Sequence, residues 1–283
     1  MMRRGMPVNR VVRLLRREPL SGDYFRLAFE HPEVATQGRA GQFVMIKAGV
    51  SAEPPLRRPF SLLGLEPERG AFTLLLKTVG PGTRALAAMQ EGEPASCLGP
   101  LGSWFQPPPS GREPLLIAGG YGIAPFLLFS RDLRARDVVP RAFYGGRTGA
   151  DLQLLDAFGA LGVPLVAATE DGSLGARGYV TLPLEAYLDS HPSVALYACG
   201  PDALLHAVAR IAARRGLPAQ VSLDPWMGCG IGTCLGCVVR IQHAGDPRPR
   251  YKCACTEGPV FDAATVAWPG ESGSLAGGGL AAP

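Results

Sequence analysis

Five of the seven cysteines in this 283-residue chain, Cys229, Cys234, Cys237, Cys253 and Cys255, fall within one short segment. The first three read C-x4-C-x2-C, with a further cysteine some way on. That is the spacing of plant-type two-iron clusters, and four thiolates suit a soft, tetrahedral iron-sulfur site. Gly228, Gly230, Gly232 and Gly236 let the loop wrap closely and aim backbone N–H groups at the sulfurs, which stabilises a reduced, more negative cluster. A structural zinc would use the same four sulfurs, but its ligands normally come as C-x2-4-C pairs on both sides and need no interleaved glycine. Spacing leaves the fourth ligand open between Cys253 and Cys255, which strand alternation would put on one face.

Two further groups of residues suit nucleotide chemistry. Arg58-Pro59-Phe60-Ser61 sets a cation, a planar ring and a hydroxyl along the start of one strand. Arg neutralises a pyrophosphate, an aromatic ring packs on an isoalloxazine, and Ser bonds the ring edge, so the tetrapeptide fits a flavin. Leu75-Leu76-Lys77 ends the next strand, and Gly80-Pro81-Gly82-Thr83 then opens a helical run, where N–H groups and a helix dipole cradle phosphate. The plainer alternative is a turn with Thr83 as its N-cap. Gly119-Gly120-Tyr121-Gly122-Ile123-Ala124-Pro125 and Cys199-Gly200-Pro201 each follow an apolar strand and open a helix. Two glycine loops at one sheet edge read as a dinucleotide cleft, with Gly120, Gly122, Cys199, Gly200 and Pro201 facing the flavin.

These groups need elements to hold them. From residue 7 to about 106, short apolar runs (42–47, 72–77, 95–98) between Gly and Pro clusters predict antiparallel strands closing a small barrel. After the linker QPPPSGREP, residues 113–223 alternate strand and helix: 115–118 to a helix from about 125, 141–144 to one from about 151, 163–168 to a turn, and 194–198 to a helix over 202–215. That rhythm predicts a parallel sheet covered by helices. The cysteine segment spans 224–262, and the Gly, Ala, Ser and Pro-rich tail over 263–283 reads as disordered.

Composition narrows the class. Lys+Arg 28 against Asp+Glu 24 leaves +4, and 18% charged with 47% hydrophobic residues is a globular balance. It excludes a disordered chain and argues against a nucleic-acid partner. Arg3, Arg4, Arg10, Arg13, Arg16 and Arg17 read as a solvated strand face. Every apolar stretch is broken before the roughly 18 residues of a membrane span, and the N-terminus lacks a secretory pattern. An odd, clustered set of cysteines points to a cytoplasmic metal site rather than a disulfide framework. His31, His191, His206 and His243 are scattered, and no residue reads as a general base or nucleophile.

The order R-P-F-S, G-P-G-T, G-P-L-G (Gly99 to Gly102), G-G-Y-G-I-A-P, C-G-P and C-x4-C-x2-C with a last cysteine resembles the ferredoxin reductase superfamily. Within it, the chain is most similar to the electron-transfer subunits of NAD-dependent dihydroorotate dehydrogenases, over about residues 7 to 262. The resemblance implies a ferredoxin-reductase-like fold: an FAD-binding β barrel, an α/β NAD domain and a small C-terminal [2Fe-2S] segment. Matching Tyr251 to Phe261 to the family pattern implies Cys229, Cys234, Cys237 and Cys255 as ligands, with Cys253 where a non-ligand often stands. Phe60 replaces the superfamily's usual Tyr. The resemblance further implies a partner, an FMN-bearing catalytic barrel that oxidises dihydroorotate in pyrimidine biosynthesis, in a heterotetramer of two pairs. Subunits of sulfide dehydrogenase, of hydrogenase or of ferredoxin-dependent NADP reduction share the build and are the alternative.

Overall fold

The computed structural model describes residues 7–51 and 56–268. In β1 (Val8–Pro19) the pleat sends Val12 and Leu14 inward and Arg13 to solvent, an alternation that fixes register. It is followed by β2 (Tyr24–Glu30), α1 (Pro32–Gln37), β3 (Phe43–Ala48), β4 (Arg58–Glu66), β5 (Ala71–Lys77), α2 (Pro81–Ala88) and β6 (Pro94–Leu101). The six strands close an antiparallel barrel in the order β1-β2-β5-β4-β3-β6. Phe29 and Phe72 stack at its centre with ring centroids 5.8 Å apart. The arginines of β1 brace the barrel: Arg10 pairs with Glu33, Arg13 donates to the Gly92 carbonyl, and Arg17 to that of Ala87. Arg3 and Arg4 lie outside the described residues.

The second unit runs β7 (Glu113–Gly119), α3 (Ala124–Arg134), β8 (Arg141–Gly146), α4 (Leu155–Ala160), β9 (Leu165–Thr169), β10 (Ala176–Arg177), α5 (Thr181–Leu188), β11 (Val194–Cys199), α6 (Asp202–Arg215) and β12 (Ala219–Ser222). Its strands are parallel, with β7 beside both β8 and β11, so the chain reverses its direction of travel across the sheet at β7 and β11. The crevice at their carboxyl ends is the switch point where such sheets bind nucleotides. The helix expected from about 151 starts instead at Leu155. Residues 149–151 form a 3-10 turn, Leu154 takes a left-handed φ of 67°, and the Asp151 carboxylate accepts the Thr148 N–H. The stretch after β9 is more than a turn, because α5 follows it. Pro183 hides that helix from the sequence, yet in a first turn it breaks no hydrogen bond.

The cysteine segment adds β13 (Val238–Ile241), β14 (Arg250–Cys253) and β15 (Val260–Asp262). The first two form a separate hairpin, and β15 pairs antiparallel with β12 at the edge of the parallel sheet. Cys253 and Cys255 do not share a strand as alternation suggested, because β14 ends at Cys253. The Thr256 and Glu257 N–H groups both return to the Cys253 carbonyl, which closes a tight turn around Cys255. The tail is ordered at its start: 263–265 form a 3-10 turn, and Trp268 is buried with its ring stacked on His206. Residues 269–283 lie outside the described residues.

Candidate cofactor cleft and cysteine site

One cleft of about 670 Å³ is shared by all three units. The barrel gives Arg58, Pro59, Phe60 and Ser61 from β4, Leu75 and Lys77 from β5, and Gly80 to Thr83 from the start of α2. The parallel sheet gives Gly122, Cys199 and Gly200, and the cysteine segment gives Asp224 to Met227 and Pro259. Leu76, Gly120 and Pro201 are not among its lining residues. Alternation turns Leu76 to the face opposite Leu75 and Lys77. Gly120, at φ 53°, lies near the Tyr24 hydroxyl, and Pro201 packs on Gly119.

The groups suited to phosphate converge. A Cβ on Gly82 would meet the Arg58 guanidinium at 3.2 Å, so the cation lies directly against the first turn of α2. Arg58 is held there by bonds to the Leu56 and Arg57 carbonyls. The Thr83 hydroxyl accepts the N–H groups of Val79 and Gly80 and donates to the Gly80 carbonyl, so it shapes the cradle from the third helical position rather than capping the helix. Lys77 Nζ lies 2.6 Å from Asp151 Oδ1 and over the Tyr24 ring, which ties barrel to sheet across the cleft. Burial works against the Asp151 carboxylate, but Lys77 outweighs it and holds the group below its ordinary range.

The two glycine loops interlock at the switch point. A Cβ on Gly122 would stand 2.2 Å from the Cys199 carbonyl oxygen, and one on Gly200, at φ 150°, 2.9 Å from the Gly119 nitrogen. Only glycine permits this approach, and it leaves Cys199 at the floor beside Ser222 and Asp224. Burial pushes the Cys199 thiol up to about 12, so it is a neutral donor. Burial first and the nearby Asp202 second raise the Asp224 carboxyl to about 6, although it reaches solvent at the cleft mouth. Sequence reasoning missed Asp224 and the exposed Tyr121; their only signal is adjacency to the cysteine and glycine motifs.

The cysteine loop is built as a set of N–H donors around sulfur. Cys229 Sγ accepts from Ile231 N at 3.5 Å and Cys234 N at 3.4 Å, and Cys255 Sγ from Gly232 N at 3.2 Å. Burial opposes ionisation of Cys229, yet these donors outweigh it and bring the thiol down to about 6. A buried Cys255, with Cys237 beside it, is pushed up to about 12. Among the described residues no three His, Cys, Asp or Glu side chains are grouped to hold one metal ion. Of the four cysteines that the family pattern implies, Cys229 lies near Cys234 and Cys237 near Cys255, with Cys253 also near Cys237. Two pairs fit a group with two iron centres better than one tetrahedral ion. Trp226 is 88% exposed, Leu235 61% and Ile231 51%, while Met227 packs on the core.

Comparison with known proteins agrees with this geometry. Residues 224–267 match the family described as the iron-sulfur cluster binding domain of dihydroorotate dehydrogenase B, and residues 12–105 match the oxidoreductase FAD-binding domain. A protein of Desulforamulus reducens named dihydroorotate dehydrogenase B (NAD(+)), electron transfer subunit, is 34% identical over 86% of this chain and 92% of its own length. One of Bacillus caldolyticus with the same name is 40% identical over 80% of this chain and 86% of its own. Among solved structures, that of an NADH-dependent reduced ferredoxin-NADP oxidoreductase superimposes with a TM-score of 0.78 at 29% identity, covering 92% of this chain and 90% of that one.

Proposed function

Because the chain belongs to the family of electron-transfer subunits of NAD-dependent dihydroorotate dehydrogenase B, we propose how its own residues carry out that task. It is an oxidoreductase component that binds FAD and an iron-sulfur cluster and serves NAD. The observation that carries the residue assignment is the single cleft in which Arg58, the α2 N-terminus, the switch-point glycines and the cysteine segment meet. When bound, the flavin supplies the conversion between a two-electron hydride and single electrons carried by the cluster.

In this reading Arg58, with the N–H groups of Gly82 and Thr83, holds the FAD pyrophosphate, and Pro59, Phe60 and Ser61 line the ring. Leu75 and Lys77 close its far side. Gly122, Cys199 and Gly200 receive the nicotinamide, and Gly120, Leu76 and Pro201 shape the loops and strand behind. Cys229, Cys234, Cys237 and Cys255 ligate a [2Fe-2S] cluster. In this reading the base for dihydroorotate is a residue of the partner.

The relatives' name implies a catalytic partner subunit. We assign it as an FMN-bearing barrel, two of each chain forming the complex. Its docking face is the cysteine loop with Trp226, Ile231 and Leu235 at the surface, Leu235 at a left-handed φ of 57°. Exposed apolar side chains on a strained loop are retained where a partner covers them. Among the described residues no helix is long and apolar enough to cross a membrane. Five clustered free thiols favour the reducing cytoplasm. The same build occurs in an NADH-dependent reduced ferredoxin-NADP oxidoreductase, so copurification tests the partner. Coexpression with an FMN-bearing dihydroorotate-oxidising subunit yields a complex that reduces NAD with dihydroorotate. A chain that holds FAD and cluster yet forms no such complex refutes the assignment.

A further inference from the structure

The fifth cysteine of the segment does not stand apart from the other four. Cys237 lies between two candidates: its thiol is near enough to both Cys255 and Cys253 to act on each electrostatically. The backbone builds this convergence. Val238 pairs with Cys253 across the β13–β14 hairpin, and the Ala254 N–H donates to the Cys237 carbonyl at 3.0 Å. Cys253 therefore enters the turn beside Cys237, and the turn closed on its own carbonyl returns Cys255 to the same place. Cys229 and Cys234 form the opposite pair, joined by the Cys234 N–H to Cys229 Sγ bond.

Resting on the ligand assignment above, we propose that Cys253 is a reserve ligand that takes the Cys237-side iron when Cys255 leaves it. Two ligand pairs would each serve one iron, and among the described residues the Cys237 side alone has a third thiol nearby. The exchange is balanced without redox chemistry. The bond from iron to Cys255 sulfur breaks, one to Cys253 sulfur forms, and the Cys253 thiol proton passes to the released Cys255 thiolate. The two residues differ in access, as Cys255 is 1% exposed whereas Cys253 is half-buried. Cys255 also receives the Gly232 N–H, a bond that no hydrogen-bond partner of Cys253 sulfur matches among the described contacts. Those differences make Cys255 the resident and Cys253 the substitute, since an N–H bond to a ligating sulfur tunes and steadies it.

The test compares Cys253→Ala, Cys255→Ala and the double variant in the full chain, each reconstituted anaerobically with iron and sulfide. Iron and acid-labile sulfide per chain, visible absorption and the electron paramagnetic resonance of the reduced cluster are read, with bound FAD as the control for folding. Cys253→Ala keeps a full cluster with the parent spectrum. Cys255→Ala keeps most of its iron and sulfide but with shifted resonance values, and the double variant loses them. If Cys255→Ala is as empty as the double variant while FAD stays bound, the proposal is overturned and the resident-ligand assignment stands. If Cys253→Ala loses the cluster and Cys255→Ala retains the parent spectrum, the resident assignment itself is reversed and the proposal falls with it. Should Cys255→Ala lose FAD, Cys255→Ser is read beside Cys253→Ala/Cys255→Ser: a cluster retained in both is held by the serine oxygen and overturns the proposal, whereas one lost only in the double variant supports it.

Discussion

Asp224 lines the cleft shared by the barrel, the parallel sheet and the cysteine segment, and its environment fixes the direction of a pH effect. Its folded-state value of about 6 lies above the ordinary 3.8, burial being the main cause and Asp202 the second. A shift of roughly two units corresponds to at most about 3 kcal/mol. The side chain reaches solvent, so screening reduces that to about 1 kcal/mol. A carboxyl raised on folding binds its proton more tightly in the native state. The folded protein therefore loses stability as pH rises from the unfolded value toward about 6, and the cost is complete above that.

Asp224→Asn removes this term. Thermal unfolding of the FAD-loaded protein, followed by flavin fluorescence from pH 5 to pH 8, is the assay. The variant melts above the parent by about 2 °C at pH 8, since about 1 kcal/mol shifts Tm by about that much in a chain of this size. The gap narrows as pH falls through about 6. Taking the difference between parent and variant cancels every other titration. A gap that stays constant, or that widens toward low pH, refutes the raised carboxyl.

Arg58→Ala removes a charge-assisted contact of about 2 kcal/mol, so FAD binds roughly thirtyfold more weakly by fluorescence titration; unchanged affinity would move the pyrophosphate elsewhere. Gly122→Ala forces a methyl group against the Cys199 carbonyl and costs about 3 kcal/mol by overpacking, read as a lowered Tm and slower flavin reduction by NADH. Parent-like values in both would show that the loops are not interlocked. Leu235→Glu puts a charge on the exposed loop; it leaves flavin reduction by NADH intact and costs more than about 1 kcal/mol of complex stability. Full copurification of that variant with the catalytic subunit would displace the docking face.

The barrel, the alternating strands and helices and the cysteine loop were legible because each rests on a local rule of period, turn chemistry or ligand spacing. The long helix α6 spans Asp202–Arg215, as its pattern predicts, since a strand and a glycine loop punctuate its start. What escaped depended on contacts distant in sequence. Residues near Asp151 read as a helix start, but Lys77, far back in the barrel, claims the carboxylate. The short β12 and β15 have too few residues to show a period: β12 is a strand through its pairing with β11 and β15, and β15 through its pairing with β12. The convergence of Cys253 and Cys255 on Cys237 needed the turn geometry, which strand alternation misdescribes.

The most consequential hidden feature is the seat of the cysteine segment on the barrel. Gly230, at φ 78°, has no room for a Cβ, which would strike Met45 Cγ at 2.6 Å and Leu101 at 3.2 Å. Gly102 is pressed in the same way by Pro259, and Ser103 bonds both the nitrogen and the oxygen of Val260. Met45 in turn pairs with Pro59, which lines the cleft beside Phe60. The glycine that lets the loop turn thus also brings it against β3 and β6, and β3 is the neighbour of the strand β4 that carries the residues proposed for the flavin. A subunit that passes electrons needs this spacing fixed, and a close-packed contact fixes it as a hinged loop would not. The same loop leaves Ile231 and Leu235 exposed, and neither lines the cleft. If the proposed docking face holds, one segment joins a close-packed contact beside the cleft to exposed apolar side chains for a partner, which is the arrangement an electron conduit between two proteins requires.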